Sequence, residues 1–334
     1  MKAALCKSLD GPGGIVIEEI SDPVAGAGEA VVAVEAAALN FFDTLVTRGK
    51  YQHKPPLPFS PSGEIAGRVV ALGPGAGGFA VGDRVAAYLG WGGARELVAV
   101  KVDQLVPVPD NVALDVAAGI AITYGTAIHG LEERGEVKPG ETVAVLGASG
   151  GAGLAALEIA RLEGARVIAA ASSAGKLEIA KAHGADVLID YSTGDLKQAL
   201  REATAGKGVD VVYDCVGGPY AEPAIRAMGW GGRYLVVGFA AGDIPRIPLN
   251  LLLLKGCDVR GVFWGEAVKR NPASHRANMT RLLSWIGEGK LTPRIHARFP
   301  LDAISQAIGV LDRREAVGKV VIVMRGPETA GRDR

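Results

Sequence analysis

Between residues 142 and 263 the chain repeats one unit: a short β-branched run, a Gly or Pro turn, then an amphipathic stretch of helical length. The runs are Thr142 to Leu146, Arg166 to Ala170, Val187 to Ile189, Val209 to Tyr213, Arg233 to Val237 and Asp258 to Phe263. Between the first five, helices are predicted over Gly151 to Glu163, Gly175 to His183, Asp195 to Thr204 and Pro219 to Met228. Gly164, Gly184 and Gly206 stand where a helix end needs a positive φ. Strands alternating with helices require right-handed crossovers, so this part is expected to form an α/β, Rossmann-type, doubly wound parallel sheet of six strands.

The first strand runs into Gly147-Ala148-Ser149-Gly150-Gly151-Ala152-Gly153, which opens the first helix. Such a turn lets backbone approach a pyrophosphate and aims helix N-terminal N–H groups at it. Ala148, Gly150 and Gly153 fill the three fingerprint positions, with Ala first, and Ser149, Gly151 and Ala152 lie between them. An NAD-binding unit usually carries an acid about 20 residues further on for the ribose 2′-hydroxyl. Here that position falls on Ser172, Ser173 and Lys176, and no acid lies between Glu163 and Glu178. Two hydroxyls and an ammonium suit a 2′-phosphate, so NADPH is the expected cofactor; the plain alternative is a polar turn.

At 334 residues the chain has room for two domains. Glycine fills 47 positions, interleaved with apolar residues that make up 49% of the chain, which excludes a disordered polar tract. Lys plus Arg and Asp plus Glu both total 36, so no net field exists to attract nucleic acid or an anionic membrane surface. Neither Thr142 to Leu157 nor Val116 to Leu131, the longest uncharged stretches, reaches the roughly 20 apolar residues that span a bilayer. Lys7, Asp10 and the Gly11-Pro12-Gly13-Gly14 turn follow Met1 to Leu5 too soon for a signal-peptide core. Cys6, Cys215 and Cys257 are odd in number and scattered, so reduced thiols and a cytoplasmic location are expected.

The chain up to about Ile122 reads as an irregular β body, with strand-like runs at Val31 to Ala37, Glu64 to Leu72, Arg84 to Tyr88 and Leu97 to Val100. From about Gly265 come a helix over Ala273 to Ile286, a second over Leu301 to Leu311 and a strand over Lys319 to Val323. A lone terminal strand needs a partner sheet, so the expected domains are 1–122 with 266–334, and 123–265. Leu251 to Leu254 is expected to be helix core, and Gly326 to Arg334 a solvated tail. None of His53, His129, His183, His275 and His296 lies within a metal-ligand spacing of another, so packing roles are expected for each.

Asn40-Phe41-Phe42-Asp43, Arg48-Gly49-Lys50-Tyr51, Pro55-Pro56-Leu57-Pro58-Phe59, Gly63-Glu64-Ile65-Ala66-Gly67, Val81-Gly82-Asp83-Arg84-Val85 and Thr123-Tyr124-Gly125-Thr126 follow one another in that order. With the glycine turn, this series resembles the medium-chain dehydrogenase/reductase superfamily, and within it the quinone oxidoreductase (zeta-crystallin-like) family, over nearly the whole chain. The resemblance implies a GroES-like catalytic domain beside the nucleotide domain. In zinc-dependent relatives a Cys stands near the position of Asn40 and a His at the position of Gly63. The cysteine cluster of their structural zinc lobe has no counterpart between Cys6 and Cys215, so no metal is expected.

Without a Lewis acid, hydride delivery suits acceptors already polarised, such as quinones and α,β-unsaturated carbonyls. The expected activity is NADPH-dependent quinone reduction. The alternatives are a 2-alkenal or enoyl-thioester (enoyl-CoA) reductase, for which Arg48, Lys50 and Lys54 offer a basic entry, and a non-catalytic NADPH-binding protein. By resemblance to enoyl-thioester reductases, Tyr51 is either the proton donor or a rim tyrosine. Asn40 either bonds the ribose or the acceptor oxygen, or caps its own backbone. The resemblance also brings Thr126, Tyr191, Gly238, Phe239, Phe263, Trp264 and Lys319 toward the cofactor, with core packing as the alternative for Phe239 and Phe263. Asp43 and Glu64 are expected to be structural partners. Family members commonly dimerise through the last strand of the nucleotide domain, here Asp258 to Phe263, so a homodimer is expected.

Overall fold

The structure is a computed structural model that describes residues 1–324; the expected tail Gly326 to Arg334 lies outside the described residues. In chain order come β1 (Lys2–Cys6), β2 (Ile15–Glu19), β3 (Glu29–Leu39), α1 (Phe41–Val46), β4 (Glu64–Leu72), β5 (Arg84–Tyr88), β6 (Leu97–Lys101), β7 (Leu105–Pro107) and α2 (Leu114–Ala117). Next are α3 (Ala121–Ile128), which runs on as a π-helix over His129–Arg134, β8 (Thr142–Leu146), α4 (Gly151–Leu162), β9 (Arg166–Ala171), α5 (Ala174–Ala182) and β10 (Val187–Asp190). Then follow α6 (Leu196–Ala203), β11 (Val209–Asp214), α7 (Ala221–Ala227), β12 (Met228–Val236), α8 (Leu249–Lys255), β13 (Asp258–Gly261) and α9 (Trp264–Arg270). The described chain closes with α10 (Pro272–Gly287), β14 (Ile295–Pro300), α11 (Ile304–Asp312) and β15 (Lys319–Val323). The described residues divide into two compact units: Met1–Ile122 with Pro272–Gly289 and 295–324, and Thr123–Asn271 with Lys290–Arg294.

The first unit is built on β3, whose Val and Ala run suits a strand buried on both faces. Along one edge β3 pairs antiparallel with β4; on the other it pairs with β6 over its first half and β15 over its second. Two register shifts against β4 bend the strand so that it can serve both partners. Among the described residues the sheet has the order β14-β15-β3-β4-β5-β7, with β6 on β3. Val32, Val34, Leu39, Ile65 and Val320 meet Ile304 and Ile308 of α11 in its core, and each such side chain fully buried contributes about 1.5–3 kcal/mol. The terminal strand lies between β3 and β14. The sequence reading passed over β14, although Ile295, Ala297 and Phe299 alternate as a half-buried face with the exposed His296, Arg298 and Pro300.

The second unit holds a parallel sheet in the order β10-β9-β8-β11-β12-β13. The order reverses direction between β8 and β11, the switch point at which doubly wound sheets bind ligands. Three expectations change here. β12 begins at Met228 rather than Arg233, and β13 stops at Gly261. Phe263 caps α9 and stands half in solvent instead of continuing the strand. The leucines of 251–254 are not all core: Leu251 is buried, while Leu253 and Leu254 are 80% and 71% exposed. Consecutive residues on a helix point about 100° apart, so one face alone can meet the sheet. Among the described residues no helix is long and apolar enough to cross a membrane.

Candidate active site

In the first unit three strand ends meet. Val320 lies opposite Leu39 and Ala38 opposite Glu64, so the first residues of β15 and β4 flank Asn40, which follows β3. Lys319 Nζ donates to Asn40 Oδ1 at 2.5 Å, to Glu64 Oε1 at 2.8 Å and to the Leu39 carbonyl at 3.2 Å. Asn40 Nδ2 donates to Glu64 Oε1 at 2.8 Å, and the Ile122 N–H to Glu64 Oε2 at 2.9 Å. All three side chains are buried. One strand further along, Tyr88 pairs with Glu64 in register, its phenol pushed up to about 12 by burial and then by Tyr51 and Glu64. His275 lies 6.1 Å from the Tyr88 ring, and burial pushes its imidazole down to about 4.

Asp43 braces this row. Its Oδ2 accepts the Asn40 N–H at 2.8 Å and its Oδ1 the Ser62 N–H at 2.9 Å, so the carboxylate ties the start of α1 to the approach to β4. Burial outweighs those two bonds and pushes its carboxyl up to about 6. Tyr51 sits beyond α1, 5.4 Å from the Phe42 ring, with its phenol raised by burial and by the Asp43 charge. Arg48, offered above as part of a basic entry, is occupied: it pairs with Asp312 at 2.7 Å and donates to the Thr44 carbonyl.

In the second unit the glycine turn follows β8 at the switch point. Gly147 has φ +75°, and the Gly147 and Ala148 N–H groups both donate to the Ala170 carbonyl, tying the turn to β9. A Cβ on Gly153 would lie 2.2 Å from the Gly147 oxygen, so this glycine allows helix and strand to close. A Cβ on Gly150 would meet only that same oxygen, at an ordinary 3.5 Å. The fold itself would therefore accept a side chain at Gly150. Beyond it the first N–H groups of α4, at Gly151, Ala152 and Gly153, have no partner within the helix. An anion is the natural partner for such a terminus.

Several of the other expected contacts follow strand ends of the same sheet, while Thr126 lies on α3 and Lys319 in the first unit. Ser172 and Ser173 are exposed after β9, with Lys176 Nζ 3.3 Å from Ser172 Oγ. Tyr191 follows β10 and stacks on Tyr220 at 4.3 Å. Gly238 and Phe239 follow β12, Gly238 donating to the Asp214 carbonyl and Phe239 lying against Gly217. Thr126 is half-buried on α3, and the buried Trp264 indole packs against Gly125, filling the space of a side chain there.

Sequence reasoning missed Asp214. Its Oδ1 accepts the Val216 and Gly217 N–H groups at 2.7 and 2.9 Å and its Oδ2 a close bond from Tyr234 Oη, which shapes the loop after β11 beside Gly147. It missed Tyr88 as well. Neither carries a motif; Asp214 at the end of a strand, beside a Gly217-Gly218 turn, was the one available signal.

Residues 26–110 match the family model described as alcohol dehydrogenase GroES-like domain, and 151–285 the one described as zinc-binding dehydrogenase. The quinone oxidoreductase-like protein 2 homolog of Nematostella vectensis is 39% identical over 326 residues, covering 96% of this chain and 88% of that protein. Escherichia coli quinone oxidoreductase complexed with NADPH superposes with a TM-score of 0.89 at 27% identity, covering 97% of this chain and 100% of that one. A mycobacterial protein complexed with NADPH gives 0.89 at 30% identity, with coverage of 97% and 100%.

Proposed function

The chain belongs to the quinone oxidoreductase family of the medium-chain dehydrogenase/reductase superfamily, and from that premise we propose that it is an NADPH-dependent quinone reductase working without a metal. The observation that carries the proposal is the Lys319 ammonium bonded to Asn40 Oδ1 at 2.5 Å. Zinc-dependent relatives place a thiolate and an imidazole where this chain has Asn40 and Gly63. A divalent cation at Asn40 would meet an ammonium of like charge. A side chain at Gly63 would begin 2.8 Å from the Gly90 carbonyl oxygen. The residues do not fit zinc, and no group of three or more His, Cys, Asp or Glu converges among the described residues.

The nucleotide fits better. The N-terminal N–H groups of α4 and the uncovered Gly150 would receive the pyrophosphate, and the Ser172 and Ser173 hydroxyls with Lys176 would receive the 2′-phosphate. NADPH, when bound, supplies the hydride. An acceptor reduced in this way would gain negative charge on oxygen, and Tyr51 is the donor we assign to it. Tyr51, its phenol raised by burial and Asp43, keeps its proton at neutral pH and has it to give. The engagement of Arg48 by Asp312 weakens the case for a coenzyme A thioester. Three free cysteines support a cytoplasmic location.

An NADPH-oxidation screen over para-quinones, 2-alkenals and enoyl thioesters, repeated with NADH and with Tyr51→Phe, tests this. Quinones are expected to turn over best. Charge-assisted bonds of roughly 1.5–3 kcal/mol to the 2′-phosphate should hold the KM for NADPH about 10- to 100-fold below that for NADH. Loss of the phenol should lower kcat by about 100-fold. A preference for NADH would overturn the cofactor, turnover of enoyl thioesters alone the acceptor, and full activity of Tyr51→Phe the donor. Binding of NADPH with no acceptor reduced would mark a non-catalytic protein.

A homodimer is part of the same proposal. β13 is an edge strand of four residues, with Val259 and the neighbouring Trp230, Leu249, Leu253 and Leu254 all exposed. Those apolar side chains continue the open edge, and a second copy extending the sheet would cover both. Sedimentation velocity should give a dimer that Val259→Asp dissociates; a monomeric parent chain would exclude it.

A further inference from the structure

Lys319 lies where the family resemblance brings a lysine toward the cofactor, yet its ammonium has nothing left to give. An ammonium has three N–H donors, and here they go to Asn40 Oδ1, Glu64 Oε1 and the Leu39 carbonyl. Its stem is confined as well, with Cε and Cγ each 3.3 Å from where a Cβ on Gly119 would stand, and the residue is only 4% exposed. A buried lysine held this way contacts neither nucleotide nor acceptor.

Asn40 is the group through which it can act. An amide can usually rotate to exchange oxygen and nitrogen, but here one orientation alone is tolerable. Rotated by 180°, Nδ2 would face the Lys319 ammonium and Oδ1 the Glu64 carboxylate, placing donor against donor and acceptor against acceptor. In the observed orientation Oδ1 is bonded to a cation and one Nδ2–H to an anion. That leaves one Nδ2–H without a protein partner. A hydrogen bond from an ammonium to the amide oxygen withdraws electron density from the nitrogen and strengthens that remaining donor.

We propose that Lys319 and Glu64 are positioning residues that lock and polarise the Asn40 amide, so that its free N–H is a fixed donor to the oxygen that becomes anionic on the acceptor. The inference rests on the reductase assignment above and deepens it by placing the electrophilic help in the first unit, with Asn40 as the group that touches substrate. Preorganised donors of this kind act on the chemical step and not on cofactor affinity.

The test uses the full chain with NADPH and a para-quinone, in a double-mutant cycle of Lys319→Met and Asn40→Ala. Because Lys319→Met leaves Glu64 buried without its counter-charge, the neutral pair Glu64→Gln with Lys319→Met is made in parallel. Lys319→Met and the neutral pair should each lower kcat by roughly 10- to 100-fold, while the Kd for NADPH, read from cofactor fluorescence, moves by less than about threefold. In the Asn40→Ala background the same changes should cost nothing further, because both act through one amide.

A second readout does not depend on turnover. In the protein labelled with 15N-asparagine, the Asn40 side-chain amide should give a slowly exchanging, inequivalent proton pair that collapses in Lys319→Met. A rise of about tenfold or more in the Kd for NADPH, in both backgrounds, would make Lys319 a cofactor contact and overturn the proposal, as would additive losses in kcat. If the parent chain reduces no acceptor, the reductase assignment fails; the amide signature then decides the positioning alone, and its persistence in Lys319→Met overturns that too.

Discussion

Gly153→Val is expected to cost the second unit about 3 kcal/mol or more of stability and to abolish measurable NADPH binding. The new Cβ would begin 2.2 Å from the Gly147 carbonyl oxygen and 2.7 Å from Ala148 Cα, both backbone atoms with nowhere to move while β8 and α4 stay packed. Either the helix lifts from the strand or the turn reshapes, and each removes the N–H cradle. Gly150→Ala separates the two effects. Its Cβ would meet the Gly147 oxygen at 3.5 Å, and its φ of −72° suits alanine, so stability should stay within about 0.5 kcal/mol of the parent. NADPH affinity should still fall, because the methyl would stand in the path we propose for the pyrophosphate. Thermal melts with fluorescence titration check both. Gly150→Ala binding NADPH as the parent does would show that the bare backbone there serves no ligand.

Glu158→Leu is expected to lower stability by about 3 kcal/mol, or roughly 6–12 °C in Tm for a unit of this size. Glu158 is a buried carboxylate on α4 that accepts from Tyr124 Oη at 2.6 Å, from His183 Nδ1 and Thr292 Oγ1 at 2.8 Å each, and from the Thr292 N–H at 3.3 Å. Removing it strands those donors in an apolar surround. Burial alone would raise this carboxyl, but the bonds from His183, Tyr124 and Thr292 outweigh it and hold it below its ordinary 4.5. A depressed folded value means the unfolded chain binds the proton first on acidification. The contribution is therefore complete above 4.5 and is lost as pH falls through the lower folded value. Melts from pH 7 downward should show the gap between parent and Glu158→Leu constant to near 4.5 and shrinking below it. A gap that stays fixed at low pH would place the effect in packing rather than in the carboxylate's bonds.

The two halves of the chain differ in how far sequence alone could resolve them. Thr142 to Leu146 and Lys319 to Val323 are strands over those residues, and Gly164, Gly184 and Gly206 all carry positive φ at helix ends. Each follows from a property of a few neighbouring residues: a period of two or 3.6, or a glycine where a side chain is strained. The glycine turn is legible for the same reason, since strand, turn and helix are consecutive. α8 is where local pattern misleads, because a leucine run shows that a helix is apolar without showing which face has a neighbour.

The polar row in the first unit is a different matter. Asn40 and Lys319 enter through the family resemblance and Glu64 as an expected structural partner, yet the sequence is silent on their meeting. Lys319 is 279 residues from Asn40 and 255 from Glu64. What joins them is the register of β4 and β15 on opposite edges of β3, and a slip of one residue in either pairing would turn its first side chain to the other face. Tyr88 enters by the same register, one strand on. The sequence by itself determined the sheet that receives a nucleotide, because every part of that motif is short-range. Only the tertiary structure decided that an ammonium stands against Asn40 and that Lys319 has no donor left for a ligand, because pairing across a sheet is set by strands far apart in the chain.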